Sequence, residues 1–156
     1  HDVFKDTIDL TPLLEELESY CDCHPAAQNK SLSIELRFKA EDRLFCTNRA
    51  LLKRVLINML VNAFEATKEG EGIILRVSST DNGRLVFSVH NSTPIPEEYQ
   101  LRIFQRNFST KDELGRGLGT YSMKLLGEQY LGGAVSFSSS PEEGTTFYLS
   151  LPVSGQ

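Results

Sequence analysis

The chain has 156 residues, 40% of them hydrophobic and 24% charged, an ordinary globular composition that excludes a largely disordered segment. Sixteen Lys and Arg against 21 Asp and Glu leave a formal charge of −5, the wrong sign for a general nucleic-acid or anionic-membrane binder. No apolar run approaches the ~18–20 residues of a spanning helix, the N-terminus lacks a signal-peptide pattern, and three cysteines are an odd number for a secreted disulfide framework. A single cytoplasmic domain over residues 1–156 is expected, without direct membrane contact. The start at His1-Asp2-Val3, without methionine, reads as an excision from a longer chain.

Along the chain, Leu13, Leu14, Leu17 and Tyr20 recur at three- and four-residue spacing, which predicts an amphipathic helix from about Thr11 to Cys23, opened by Thr11-Pro12. Leu32, Ile34, Leu36 and Phe38 then alternate with polar residues as in a half-buried strand. A second helix is predicted from about Arg49 to Lys68. Further strands are carried by Ile73/Leu75/Val77 and Leu85/Phe87/Val89, joined through an Asp81-Asn82-Gly83 hairpin turn. From Asn91 to about Gly117 the sequence is irregular and polar around a short helical piece, Glu97 to Gln105, and a loop of that length inside a domain marks a lid or a binding loop. A third helix runs from about Gly119 to Leu131. Strands at Val135/Phe137 and Phe147/Leu149/Leu151 follow, the last ending at Pro152. Strands with one apolar face need helices on that face only, so the expected fold is α+β, a two-layer α/β sandwich.

The second helix carries the most informative pattern. Arg54, Asn58, Asn62 and Glu65 fall within an arc of roughly 80°, while Leu52, Val55, Leu56, Met59, Leu60, Ala63 and Phe64 make the rest apolar. A helix apolar on nearly all sides is buried, and each amide buried unpaired on it costs roughly 1–3 kcal/mol. The stripe therefore faces partners: loop backbone on one reading, a cavity with a polar ligand on the other. An Asn carbonyl is a hard oxygen donor suited to Mg²⁺, which takes its remaining ligands from water and phosphate. A second signal is Gly115-Arg116-Gly117-Leu118-Gly119-Thr120, which runs directly into the third helix. Glycines let backbone approach phosphates, and a helix start offers free N–H groups. The loop is neither a Walker A nor a Rossmann pattern. Lys111 and Arg116 add cations where a triphosphate would lie.

Five strings in order, LINMLVNAFEAT, VHNSTPIPEE, IFQRNFSTK, GRGLGT and GTTF, resemble the catalytic ATP-binding (HATPase_c, GHKL) domain of two-component sensor histidine kinases. The resemblance covers essentially the whole chain. It implies the Bergerat-type fold shared with type II topoisomerase, mismatch-repair and chaperone ATPases: a mixed, mostly antiparallel sheet covered on one face by three helices. It implies ATP and Mg²⁺ as cofactors. The γ-phosphoryl would pass to a histidine on a separate helical dimerisation and phosphoacceptor domain of the parent chain, with a response regulator downstream. The isolated fragment is expected to be poorly active alone.

By that resemblance Asn62 is the Mg²⁺ ligand and Asn58 the polar residue one turn earlier. In hydrolysing relatives that earlier position is a glutamate that activates water. An amide cannot act as a general base, which favours transfer over hydrolysis. Asn91 stands where the family usually has an aspartate that accepts from the adenine amino group. The usual Asp-x-Gly-x-Gly is replaced by the shorter, glycine-free Asn91-Ser92-Thr93-Pro94, so weaker nucleotide affinity is expected. Ile95 is expected to line the adenine slot. Phe104 and Phe108 match lid aromatics, which serve either ligand contact or lid packing. Lys111 is expected at the phosphates, as a catalytic residue together with Asn58. Gly115, Arg116, Gly117, Leu118, Gly119 and Thr120 form the second glycine box, and Gly144-Thr145 the last, its threonine supporting the adenine. For Arg54 and Glu65 an ion pair flanking the site is expected ahead of a catalytic role. The alternatives are a degenerate nucleotide-binding or interaction module, favoured by the missing glycines, and another ATPase or serine kinase of the same fold.

Cys21-Asp22-Cys23-His24, with Cys46 as the one further cysteine, lacks the four-ligand spacing of structural zinc. His90 is expected on the strand face opposite Val89. The resemblance implies a phosphoacceptor on a separate helical hairpin upstream, which is not His90, and nothing in the surroundings of His1 marks it as an acceptor.

Overall fold

The computed structural model describes residues 3–106 and 119–153. A short ribbon opens the chain: β1 (Asp6–Asp9) pairs antiparallel with β3 (Leu44–Thr47). Between them lie α1 (Leu10–Cys23) and β2 (Ser31–Arg37). There follow α2 (Arg49–Ala66), β4 (Gly72–Ser79), β5 (Arg84–Asn91) and the single turn α3 (Glu97–Gln100). After the residues outside the description come α4 (Gly119–Lys124), widening into a π-helical turn over Leu125–Tyr130, then β6 (Ala134–Ser140) and β7 (Gly144–Pro152). The main sheet has five strands in the order β2-β4-β5-β7-β6, parallel only between β2 and β4.

Period-two patterning decides which face is covered. Ile73, Leu75 and Val77 of β4, Leu85, Phe87 and Val89 of β5, and Phe147, Leu149 and Leu151 of β7 all point inward and are buried. On them sits α2, through Val55, Leu56, Met59, Leu60, Ala63 and Phe64, with α1 and α4 packed against α2 in the same layer. The opposite sheet face carries Arg76, Ser88, His90, Thr146, Tyr148 and Ser150. This is the expected two-layer α+β sandwich with a mostly antiparallel sheet. Among the described residues no helix is long and apolar enough to cross a membrane.

Several boundaries differ from expectation for identifiable reasons. Helix α1 is opened by Asp9, whose side chain accepts from the Thr11 amide, rather than by Thr11-Pro12. Strand β2 lies at the sheet edge, so its alternation buries little: Leu32 and Ile34 are half-buried and Leu36 is 54% exposed. The ribbon strands β1 and β3, four residues each, are too short to show a period. The helical piece from Glu97 stops at Gln100 and continues as turns. Helix α2 is capped by Asn48, whose Oδ1 accepts from the Leu51 amide while its Nδ2 donates to the Phe4 carbonyl.

Candidate functional site

At the loop end of the sheet, β5 finishes on Asn91 and β7 begins on Gly144-Thr145, with Asn91 directly opposite Thr145 in the ladder. Both continue the inward rows of their strands, and both are fully buried. Helix α2 passes over this face. Its stripe is graded along the helix: Arg54 is exposed, Asn58 and Glu65 are half-buried, and Asn62 is 2% exposed. The expected Arg54–Glu65 pair does not form. Eleven residues of helix separate the two by about 16 Å, and among the described residues neither joins an ion pair. Instead Glu65 Oε1 is buried without a hydrogen-bond partner among the described residues. The first residue of α4, Gly119, packs on Asn58, leaving 3.4 Å between a Cβ built there and the Asn58 Cβ. Thr120 beside it is buried.

The glycine-free loop after β5 is held by side chains. Asn91 Oδ1 accepts from the Thr93 amide at 2.9 Å, and Thr93 Oγ1 donates to the Ala66 carbonyl at 2.7 Å, tying the loop to the end of α2. Thr145 Oγ1 donates to the Thr93 carbonyl at 2.7 Å. Its proton is thereby committed, so the Ser139 hydroxyl 2.9 Å away is the donor to it, while Ser139 Oγ accepts from the Ile95 amide at 2.8 Å. Gln100 Nε2 donates to the Ile95 carbonyl. Gly144 permits this approach: its φ is +78°, and a Cβ there would overlap the Asn91 carbonyl and Ser92. Asn91 Nδ2 is left buried with no hydrogen-bond partner among the described residues.

Asn58, Asn62, Asn91, Thr145, Gly119 and Thr120 thus lie on the elements that converge at this end of the sandwich. Ile95 is buried beside them. Phe104 packs edge-on to Phe137 and Phe147, with centroids 5.6 and 5.9 Å away, and Lys124 Nζ stands 4.9 Å from its ring, so its described contacts are core and cation–π packing. Lys111, Gly115, Arg116, Gly117, Leu118 and Phe108 lie outside the described residues. Thr93, Ser139 and Gln100, which organise the loop, had no signal in the sequence beyond being polar. His90 faces outward as expected, its Nε2 2.6 Å from the Glu143 carbonyl. Cys21, Cys23 and His24 point different ways: Cys21 into the core, Cys23 to the surface, and His24 Nδ1 to the Ala26 amide.

A family model described as histidine kinase-, DNA gyrase B- and HSP90-like ATPase matches residues 47–155, and the chain belongs to that family. Within it, the chain is similar to the catalytic domain of the histidine kinase ThkA, with 30% identity, 97% of each chain covered and a TM-score of 0.82. It is also 30% identical, over 97% of its length, to heme sensor protein HssS of Staphylococcus aureus. That match covers 32% of HssS, so the chain spans about a third of the length of the curated relatives it matches. Full-length ShkA, crystallised in complex with AMPPNP, is 26% identical, with a TM-score of 0.78, over 97% of this chain and 32% of that one.

Proposed function

We propose that the chain binds Mg-ATP and donates its γ-phosphoryl to a histidine on a separate helical phosphoacceptor domain, as the catalytic part of a cytoplasmic two-component signalling kinase. A response regulator would stand downstream; the relative ThkA has been crystallised with the response regulator protein TrrA. The observation that carries the reading is the pair of buried polar atoms without partners among the described residues, Glu65 Oε1 on α2 and Asn91 Nδ2 on β5, at the end of the sandwich where the polar stripe of α2 runs. Leaving such atoms unpaired costs about 1–3 kcal/mol each, which a polar ligand recovers.

The donors fit a hard cation. The carbonyl of Asn62 and the carboxylate of Glu65, one turn apart on α2, are oxygen ligands of the kind Mg²⁺ accepts alongside water and phosphate. When bound, the ion neutralises charge on the phosphates. The protein's own part is placement: Asn62 and Glu65 fix the phosphate end, and Asn91 offers the base its Nδ2 as a donor and the second lone pair of its Oδ1 as an acceptor. Lys111, outside the described residues, supplies a positive charge to the phosphates in this reading. Asn58 has no basic lone pair with which to activate water, so hydrolysis lacks its base and transfer is the favoured outcome. Calorimetry of the chain with ADP and a non-hydrolysable ATP analogue, with and without Mg²⁺, tests the reading, followed by phosphoryl transfer to an added phosphoacceptor domain. Heat that depends on Mg²⁺ is expected. Its absence at millimolar nucleotide would return the chain to the degenerate-module alternative.

A further inference from the structure

We propose that β2, an edge strand of the main sheet, is a docking site for an extended segment of a partner protein in which Lys or Arg alternates with apolar residues. The segment adds a strand beside β2 and lays its inward side chains along α1. The surface shares no residue with the site described above.

The two edges of the sheet are finished differently. Ser31 donates to the Glu71 carbonyl, and alternate residues carry the bonds of a ladder, so Ser31, Ser33, Glu35 and Arg37 face β4. Leu32, Ile34 and Leu36 therefore turn their N–H and C=O groups outward, where no described residue meets them. At the opposite edge β6 is closed by side chains. Glu128 accepts from the Val135 amide at 3.0 Å, and Lys124 Nζ lies 3.4 Å from the Val135 carbonyl. Edges are commonly blunted by such covers, by proline, by bulges or by inward charge. The register of β2 runs unbroken from Ser31 to Arg37, without proline, and its inward residues are all apolar.

Beside this edge the floor is apolar and the rim acidic. A cavity of about 300 Å³ lies between α1 and β2, lined by Thr11, Leu14, Glu15 and Glu18 of the helix and by Ile34 and Leu36 of the strand. The four helix positions recur at three- and four-residue spacing, so the groove follows about 10 Å of α1, the reach of about three extended residues. Glu16 is paired with Arg49 and Lys53, whereas among the described residues Glu15 and Glu18 join no ion pair. The cations at the ends of β2 are engaged: Lys30 donates to the Phe64 carbonyl, and Arg37 pairs with Glu35. A Lys or Arg side chain suits both features, its stem over Leu36 and its charge at the two carboxylates. A second copy does not, because β2 against β2 sets Glu15 and Glu18 against their own equivalents in a chain of net charge −5.

Peptides of about ten residues, the length of a long strand, alternating Lys with Val or Ile, test the proposal on the 156-residue chain at low salt. Fluorescence anisotropy reads binding, and amide hydrogen exchange reads its place. Saturable binding is expected, with slower exchange at the Leu32, Ile34 and Leu36 amides and no change in β6. Methylating every backbone nitrogen of the peptide keeps its charge, removes its donors and should abolish binding. Glu15→Gln with Glu18→Gln, both at exposed positions, should weaken it about threefold to tenfold, the scale of two exposed ion pairs. Silence from the whole Lys set, or binding that survives methylation, overturns the proposal. So does a dimer of the chain alone that protects the same three amides, which would give the edge to a second copy.

Discussion

At Thr145 a single hydroxyl closes a file of donors that runs from the Ile95 amide through Ser139 to the Thr93 carbonyl. Valine has nearly the same shape and would leave the Ser139 proton and the Thr93 carbonyl unmatched in a buried place. Thr145→Val should therefore cost about 1–3 kcal/mol in urea unfolding and quicken hydrogen exchange at the Thr93 and Ile95 amides, while exchange within β4 stays unchanged. Asn62 separates ligand from packing in a different way. Asn62→Ala should lose Mg²⁺-dependent nucleotide affinity by about 10–100-fold, a scale typical of damaged metal sites, with a much smaller loss of unfolding free energy; matched losses would make it a packing residue. That Asn62 is a polar residue buried on an apolar helix is legible from its spacing with Asn58. The orientation of Asn91 is not legible, because it depends on Thr93 and, through it, on residues about fifty positions away.

Helix α2 was foreseeable because eighteen residues sample five turns, enough for a polar stripe to stand out against an apolar ground. The inward rows of β4, β5 and β7 were foreseeable for the same reason at period two. Other elements left no such trace. The four-residue ribbon strands are shorter than the pattern that would reveal them, and the parallel pairing of β2 with β4 is a matter of order in space, about which alternation is silent. The π-helical turn after α4 shows itself in contacts such as the Leu131 amide reaching back five residues to the Leu126 carbonyl. The start of α2 depends on Asn48. Asn48→Ala removes both its cap to Leu51 and its bond to Phe4, so a loss of about 1–2 kcal/mol is expected in thermal or urea unfolding, whereas Asn48→Asp should retain the cap to Leu51.

For the molecule as a whole, Cys21 makes stability depend on alkaline pH. Burial among apolar neighbours, with Asp22 and Glu18 adding like charge, pushes its thiol from 9.0 up to about 11. The unfolded chain releases this proton first, so the contribution is complete below pH 9 and is lost as pH rises toward 11. The urea midpoint should fall across that window, and Cys21→Ala should flatten the fall. At the acid end Glu16 acts in the opposite sense. Hydrogen bonds from Arg49 and Lys53 hold its carboxyl below the usual range, so that contribution disappears as pH drops through the lowered value. These two groups sit on α1, facing the core and α2 respectively. The Asn48 side chain has a mechanical consequence as well. It grips the backbone at Phe4, ahead of β1, with one end and the first turn of α2 with the other, so displacement of that segment would bear directly on the rod that carries Asn58, Asn62 and Glu65.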